Sequence, residues 1–254
     1  MKVLITQKTM LRWIKLESKL TSVFYPSGYK CLICGCEIDG GNFEFCKKCF
    51  KTLPTIYGKT CVKCGEPIFS DSELCLFCKK EMPSYTKCFA PYTFSPPITD
   101  LIYRLKYNGE KFVAKTLSNL LLKFFMEQNV NVDIVIPVPL HLKREAQRKF
   151  NQSELLAQSF KEHGFNVDVT CVVRTKNTIT QTALSKQLRK QNMEEAFKVL
   201  VKSKVKNKNV LLIDDVYTTG ATFNSLSNTL KKCGAKNVYG LSLAHTKMED
   251  IVKS

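Results

Sequence analysis

The sequence lacks any apolar run near the ~20 residues that a membrane-spanning helix needs. It also lacks the apolar core of a secretory signal, because charged residues interrupt the hydrophobic stretches near its start, at Lys8, Arg12, Lys15, Glu17 and Lys19. From these two absences we predict a soluble protein of the cytoplasm. Its 254 residues suffice for one α/β domain of roughly 150 residues and a smaller module.

Acidic residues are scarce. The chain has 22 Asp and Glu against 39 Lys and Arg, which gives a formal net charge of +17. Such a charge attracts polyanions at long range, and DNA, RNA and anionic lipid are the candidates. The alternative is a lysine-rich, solvated surface without a partner. Both halves of the chain, divided after Ala90, carry excess positive charge, which favours an extended anionic partner.

Cysteine, in contrast, is abundant, with twelve residues. Eight form Cys-x-x-Cys pairs, and the second half of this segment repeats the first, so the unit is duplicated. Each pair presents two thiolates to a tetrahedral zinc ion. The spacing predicts two structural zinc sites, at Cys31, Cys34, Cys46 and Cys49 and at Cys61, Cys64, Cys75 and Cys78. A swapped pairing of first with third and second with fourth stays open. We expect Cys64→Ser to unfold this module and leave the rest folded.

The chain divides into three predicted segments. These are an N-terminal amphipathic helix within residues 1–29, a double zinc ribbon at 30–82 and an α/β domain at 88–250. In the last segment strands alternate with helices, which predicts a parallel sheet covered by helices. Predicted strands are Cys88 to Thr93, Asp133 to Val138, Val167 to Val173, Val210 to Ile213 and Val238 to Ala244. Predicted helices are Leu101 to Tyr107, Lys111 to Glu127, Ser153 to His163 and Thr222 to Cys233.

The run from Val210 to Thr222 carries the strongest chemical signal. An apolar strand delivers two carboxylates, Asp214 and Asp215, at the sheet edge where ligands of parallel sheets bind. The strand is followed by small and hydroxylated residues that lead into a helix: Thr218, Thr219, Gly220, Ala221 and Thr222. Backbone N–H groups at the start of that helix form a binding site, or cradle, for phosphate. Acids beside a phosphate cradle suit a sugar phosphate, because carboxylates accept hydrogen bonds from ribose hydroxyls. We expect removal of the two acids to leave no buried partner behind.

This run resembles the phosphoribosyl diphosphate (PRPP) signature of type I phosphoribosyltransferases. The resemblance implies a type I phosphoribosyltransferase-like fold, in which Asp214 and Asp215 hold the ribose hydroxyls and Thr218 to Thr222 hold the 5-phosphate. It also implies Mg²⁺ bound with the diphosphate, which suits the preference of that ion for oxygen ligands.

A second basic constellation follows the predicted strand that ends at Pro137. It comprises His141, Lys143, Arg144 and Arg148, close to the start of a helix. We interpret these residues as the side of the pocket that holds a diphosphate or another polyanion, the alternative being a solvated, basic helix start. The polar stretch from Arg174 to Phe197 is the candidate for a loop that closes over the diphosphate, or an equally basic surface loop without a role.

From about Phe24 to Ala244 the chain resembles the ComF-type competence proteins. The matching motifs are the double zinc ribbon, Leu105 to Gly109, Pro137 to His141, Phe150 to Gln152, and Gln181 to Ser185 with Arg189, Asn192, Ala196 and Phe197. Family members usually have Gly before the Phe-Asn-Gln run, where this chain has Lys149. That departure puts the local loop geometry in question.

The resemblance implies a DNA-uptake protein of natural transformation that binds and handles incoming single-stranded DNA in the cytoplasm and has a PRPP-binding domain. It also implies other DNA-uptake proteins, such as a helicase, and the inner face of the cell membrane as candidate partners. The alternative is a nucleobase phosphoribosyltransferase of salvage metabolism, against which the zinc ribbons and the high charge argue. No residue identifies an acceptor for phosphoribosyl transfer, so catalysis and its residues stay open.

Overall fold

The computed structural model of the protein describes residues 29–38, 44–108, 110–175 and 196–246. The helix predicted within residues 1–29 and most of the loop from Arg174 to Phe197 lie outside the described residues. The chain forms two compact units, Met1–Leu53 and Pro54–Ser254. The division falls inside the segment 30–82, and the boundaries that we predict for the three segments remain predictions. Among the described helices, none is both long enough and apolar enough to cross a membrane.

In the first unit, strands β1 (Tyr29–Lys30) and β2 (Glu37–Ile38) form a short antiparallel hairpin, and helix α1 (Lys47–Lys51) follows. Cys46 caps this helix, because its sulfur accepts a hydrogen bond from the Cys49 N–H at 3.4 Å. The cap lies inside a Cys-x-x-Cys pair, so the same turn that starts the helix also brings two sulfur atoms together.

The second unit contains the remaining elements. Its strands are β3 (Lys87–Phe89), β4 (Tyr92–Thr93), β5 (Ile134–Pro137), β6 (Val172–Arg174), β7 (Phe197–Val199), β8 (Asn209–Tyr217) and β9 (Asn237–His245). Its helices are α2 (Leu76–Lys80), α3 (Ile98–Tyr103), α4 (Lys111–Met126), α5 (Leu142–Arg148), α6 (Gln152–Glu162) and α7 (Ala221–Lys232). The described residues of this unit also include a π-helical turn at Arg104–Asn108 and a 3₁₀ turn at Lys202–Lys204.

The main sheet has the strand order β3-β9-β8-β5, and β4 extends it by pairing with the end of β9. All of these pairs are parallel, which confirms the predicted sheet class. The central strand β8 is apolar and fully buried from Val210 to Ile213, as expected for a strand covered on both faces. Helix α6 packs on β8 and α7 packs on β9.

Two predicted strands differ from the structure. The predicted strand Val167 to Val173 is reduced to one parallel bridge between Val167 and Val135, and β6 begins only at Val172. The cause is Asp168, whose Oδ1 accepts hydrogen bonds from the N–H groups of Thr170 and Cys171 and so forms a turn. The predicted strand Cys88 to Thr93 is split into β3 and β4 around Pro91, which has no N–H to donate to a ladder.

The second cysteine cluster belongs to the core of the sheet unit. Cys61, Cys64 and Cys78 are buried in one hydrophobic cluster with Tyr85 and Phe223. We expected Cys64→Ser to leave the sheet folded because the sheet has its own core. The structure shows instead that the cluster shares its packing with the sheet, and the outcome of Cys64→Ser stays a prediction.

Candidate functional site

The structure brings the eight predicted zinc ligands into two groups of four. The sulfur atoms within each group all lie within 4.8 Å of one another. One group contains Cys31, Cys34, Cys46 and Cys49, and the other contains Cys61, Cys64, Cys75 and Cys78. The sequential pairing is therefore the one that the structure adopts, and the swapped pairing is excluded.

The sulfur geometry fits zinc. A tetrahedron with Zn–S bonds of about 2.3 Å places its sulfurs about 3.8 Å apart. The sulfur atoms of Cys34 and Cys46 are 3.8 Å apart, and those of Cys64 and Cys75 are 3.6 Å apart. Hydrogen bonding to Cys61 and Cys78 raises the pKa of Cys64 far above its usual range, while the bond to Cys64 lowers the pKa of Cys61. Each group thus offers four sulfur atoms that bind a divalent cation once they are deprotonated.

The two predicted ribose-binding residues, Asp214 and Asp215, lie where β8 extends beyond the end of its neighbour β5. Strand β5 ends at Pro137, opposite Ile213, and β8 continues to Tyr217 with β9 as its partner. Asp214 and Asp215 therefore lie inside a longer strand than predicted, because β9 continues the ladder. They still occupy the carboxyl end of the sheet, where a crevice for ligands is expected.

Asp214 is anchored by helix α6. Asn151 caps this helix by accepting from the Ser153 N–H at 3.0 Å, and its side-chain amide donates to the Val138 carbonyl at 3.1 Å. The Ser153 hydroxyl then donates to Asp214 Oδ1 at 2.9 Å. Burial raises the pKa of Asp214 to about 7, and the neighbouring charge of Asp215 adds to this shift. The Phe150 to Gln152 motif thus places Ser153 beside the first acid, a contact that the sequence did not predict.

Asp215 forms an ion pair with Lys106 of the π-helical turn. The carboxylate is buried, and the lysine side chain is 20% exposed. The expectation that removing the acids leaves no buried partner behind is therefore wrong, since Asp214→Ala would leave the buried Ser153 hydroxyl without its acceptor. Asp215→Ala would in turn leave the Lys106 ammonium without its carboxylate. The sequence motif around Lys106 carried the family resemblance, but its spacing gave no sign of a contact with β8.

The predicted phosphate cradle forms the turn between β8 and α7. Thr218 and Thr219 are exposed, and the Thr219 hydroxyl accepts a hydrogen bond from the Ala221 N–H at 3.4 Å. Gly220 adopts φ 73°, and a Cβ built there would lie 2.1 Å from the Tyr217 hydroxyl. Glycine is thus required twice, by its backbone conformation and by close packing. The first-turn N–H groups of a helix lack intrahelical acceptors and are available to an anion.

The predicted basic constellation lies on and before helix α5. The His141 carbonyl accepts from the Arg144 N–H at 2.8 Å and starts this helix. Arg148 donates to the Gln152 side chain at 3.0 Å. Only the backbone of Lys143 is described. Burial lowers the pKa of Arg174, the charge of Arg144 lowers it further and that of Asp214 opposes this change. Arg174, predicted only as the start of a loop, therefore lies within electrostatic range of both Arg144 and Asp214.

Lys149 resolves the question about the loop geometry. Its backbone has φ 64°, the left-handed conformation that glycine adopts at low cost. Its N–H donates to the Glu145 carbonyl at 2.7 Å, which ends helix α5. The chain keeps a glycine-like backbone at this position although a lysine occupies it.

Sequence comparison gives this architecture a family. A profile described as "Double zinc ribbon domain" matches residues 20–82. "Competence protein F" of Haemophilus influenzae is 31% identical over 225 residues, which cover 85% of this chain and 97% of that protein. The chain belongs to the ComF-type competence protein family. "DNA utilization protein YhgH" of Shigella flexneri is 31% identical over 223 residues, 85% of this chain and 96% of that protein. "Competence protein ComFC" of Streptococcus pneumoniae is 28% identical over 232 residues, which cover 84% of this chain and 99% of that protein.

Solved structures align more loosely. A glutamine PRPP amidotransferase from B. subtilis covers 51% of this chain and 26% of its own, at 21% identity and a TM-score of 0.35. A purine phosphoribosyltransferase from Pyrococcus horikoshii covers 52% of this chain and 72% of its own, at 20% identity and a TM-score of 0.29. Alignments this loose carry no argument about ligands, and the family assignment rests on the sequence relatives.

Proposed function

We propose that this ComF-type protein acts in DNA uptake, binding incoming single-stranded DNA in the cytoplasm and PRPP in a pocket at the carboxyl end of β8. The observation that carries the pocket is the placement of Asp214 and Asp215 directly before the turn from Thr218 to Thr222. Carboxylates accept hydrogen bonds from ribose hydroxyls, and the start of α7 offers N–H groups to the 5-phosphate.

The basic constellation supports the diphosphate half of this proposal. Arg144 and Arg174 lie close enough to repel each other, and Asp214 attracts Arg174. Such a cluster gains from an added anion, because the anion offsets the repulsion between the two guanidinium groups and accepts charge-assisted hydrogen bonds from them. A diphosphate with Mg²⁺ supplies that charge, and the acids at this edge are the hard oxygen ligands that magnesium prefers.

The DNA part of the proposal rests on the family relatives, which are named for competence and DNA utilization, and on the net charge of +17. Binding to single-stranded DNA should have little sequence preference and should weaken steeply as salt rises, because neutralised phosphates release counterions. An affinity that stays flat from low to moderate salt would contradict this part. Candidate partners beyond DNA remain other uptake proteins, such as a helicase, and the inner face of the membrane.

Isothermal titration with PRPP and Mg²⁺ tests the pocket. The informative variant is Asp214→Asn combined with Asp215→Asn, because asparagine keeps an oxygen for Lys106 and Ser153. We expect it to lose PRPP binding while keeping its zinc. Asp133→Asn is the matched control, since Asp133 immediately precedes β5 and so lies at the opposite edge of the sheet. Equal affinity of the double variant and the wild type would refute the pocket.

A further inference from the structure

The π-helical turn at Arg104–Asn108 presents two neighbouring side chains to different surroundings. Lys106 pairs with the buried Asp215. Tyr107, the next residue, is 69% exposed. A single exposed aromatic ring is common at protein surfaces, but one that belongs to a cluster beside a binding site is a candidate contact for a ligand. Turns of this π type also occur frequently at functional sites.

Tyr107 does not stand alone on this surface. Its ring stacks on that of Tyr103, with centroids 6.0 Å apart and an interplanar angle of 19°. Tyr103 lies one helical turn earlier and is 52% exposed. The guanidinium of Arg148 lies over the Tyr107 ring, 5.6 Å from its centroid. We call Tyr103, Tyr107 and Arg148 the tyrosine platform.

Two polar contacts hold the turn and the arginine of the platform. Arg104 donates to Glu110 through Nε at 3.2 Å and through Nη2 at 2.7 Å, so an ion pair joins the first residue of the turn to the residue that precedes α4. Arg148 is itself fixed by its hydrogen bond to Gln152 at 3.0 Å. Side chains that are positioned before a ligand arrives lose less entropy when it binds. The exposed rings are therefore preorganised and not merely left over at the surface.

We propose that the tyrosine platform is the surface on which a base of single-stranded DNA stacks. This inference rests on the proposed function and names the part of the surface that takes the DNA. Flat aromatic rings with an adjacent guanidinium suit an anionic chain with planar bases, because each base offers a π-face and each phosphate a charge. The strong positive charge of the chain favours the same ligand. Lys106 does not supply that attraction, because Asp215 already neutralises it.

The test separates stacking from phosphate contacts. Fluorescence anisotropy measures binding of labelled oligothymidylate and of an abasic strand with the same number of phosphates. Tyr107→Ala should weaken binding of oligothymidylate on the order of 10-fold, the size expected when one stacked base is lost, and should leave the abasic strand unaffected. Tyr107→Phe keeps the ring and should bind both strands as the wild type does. Phe69→Ala, which removes a fully exposed ring in the second zinc ribbon, is the control.

Each outcome decides the matter. Wild-type protein that binds no single-stranded DNA would overturn the proposed function and the platform together. Normal binding of oligothymidylate by Tyr107→Ala would overturn the platform alone. An equal loss on the abasic strand would also overturn it, since Tyr107 would then act through the backbone. If Tyr107→Ala instead lost binding to anionic phospholipid vesicles and not to DNA, the rings would serve a membrane. Thermal melting of each variant checks that the turn remains folded.

Discussion

Replacing Cys64 by Ser should damage more of this protein than the matching replacement of Cys34 by Ser. The two residues hold the same place in the repeat, as the second cysteine of the first pair in each half. Cys34 is exposed in the unit Met1–Leu53, whereas Cys64 is 3% exposed in the core of the sheet unit. Either change should lower the zinc content from two ions per chain to one.

The size of the effect follows from linkage. A ligand present at about 1,000 times its dissociation constant stabilises the folded state by about 4 kcal/mol. In a unit of this length each kcal/mol moves the melting temperature by about 2–4 °C. Loss of the second zinc should therefore lower the melting temperature of the sheet unit by roughly 8–16 °C. Loss of the first zinc should leave that transition in place.

Hydrogen exchange measured by mass spectrometry locates the damage. The N–H groups of β8 from Val210 to Ile213 lie in fully buried residues and should exchange slowly in the wild type. They should exchange faster in Cys64→Ser and at the wild-type rate in Cys34→Ser. Equal protection of β8 in both variants, each with one zinc, would refute the reasoning that the second ribbon supports the sheet.

Three further changes test particular positions. Gly220→Ala should disrupt the turn after β8 and weaken PRPP binding more than 10-fold. Gly164→Ala is the control, because Gly164 also has a positive φ but has open space around it, and it should lower the stability by only about 1 kcal/mol. Calorimetry measures both the affinity and the stability. Lys149→Gly should raise the melting temperature by a few degrees, because it relieves the left-handed backbone at φ 64°. Burial raises the pKa of Asp214 to about 7 from an ordinary 3.8. The protonated Asp214 therefore stabilises the folded protein below about pH 4, and this contribution should be lost as the pH rises through about 7. Asp214→Asn should remove this pH dependence of the melting temperature.

The features that local sequence determines were predictable. Val210 to Ile213 reads as a buried strand because four apolar residues precede two acids, and the cysteine pairs read as zinc ligands because their spacing makes a turn. The parallel sheet follows from the alternation of strands and helices. What the sequence could not provide was contact between distant segments. The pairing of Lys106 with Asp215 depends on how the π-helical turn packs beside β8, and no periodicity encodes that.

The missed turn at Asp168 has a local reason instead, because one side chain competes with the ladder for the N–H groups of residues two and three positions later. Contact between distant segments, in contrast, explains why the second ribbon looked like a separate module. Cysteine spacing gives the ligands of a zinc ion but not the surface on which the ribbon packs. Which residues belong to a hydrophobic core is set by contacts between segments that are distant in sequence.

The second ribbon and the phosphate turn share buried supports, which gives the ribbon a consequence beyond its own folding. The Lys63 carbonyl, inside the zinc-binding turn, accepts from the Cys88 N–H at 2.6 Å and so fixes β3. Beside it, the buried hydroxyls of Tyr85 and Tyr217 lie 2.7 Å apart. Tyr217 in turn packs so closely under Gly220 that no Cβ fits there. Because a packed interior transmits displacement, loss of the second zinc should loosen the phosphate turn as well as the sheet. Faster exchange in residues 218–222 of Cys64→Ser would reveal that link, and wild-type exchange there would contradict it.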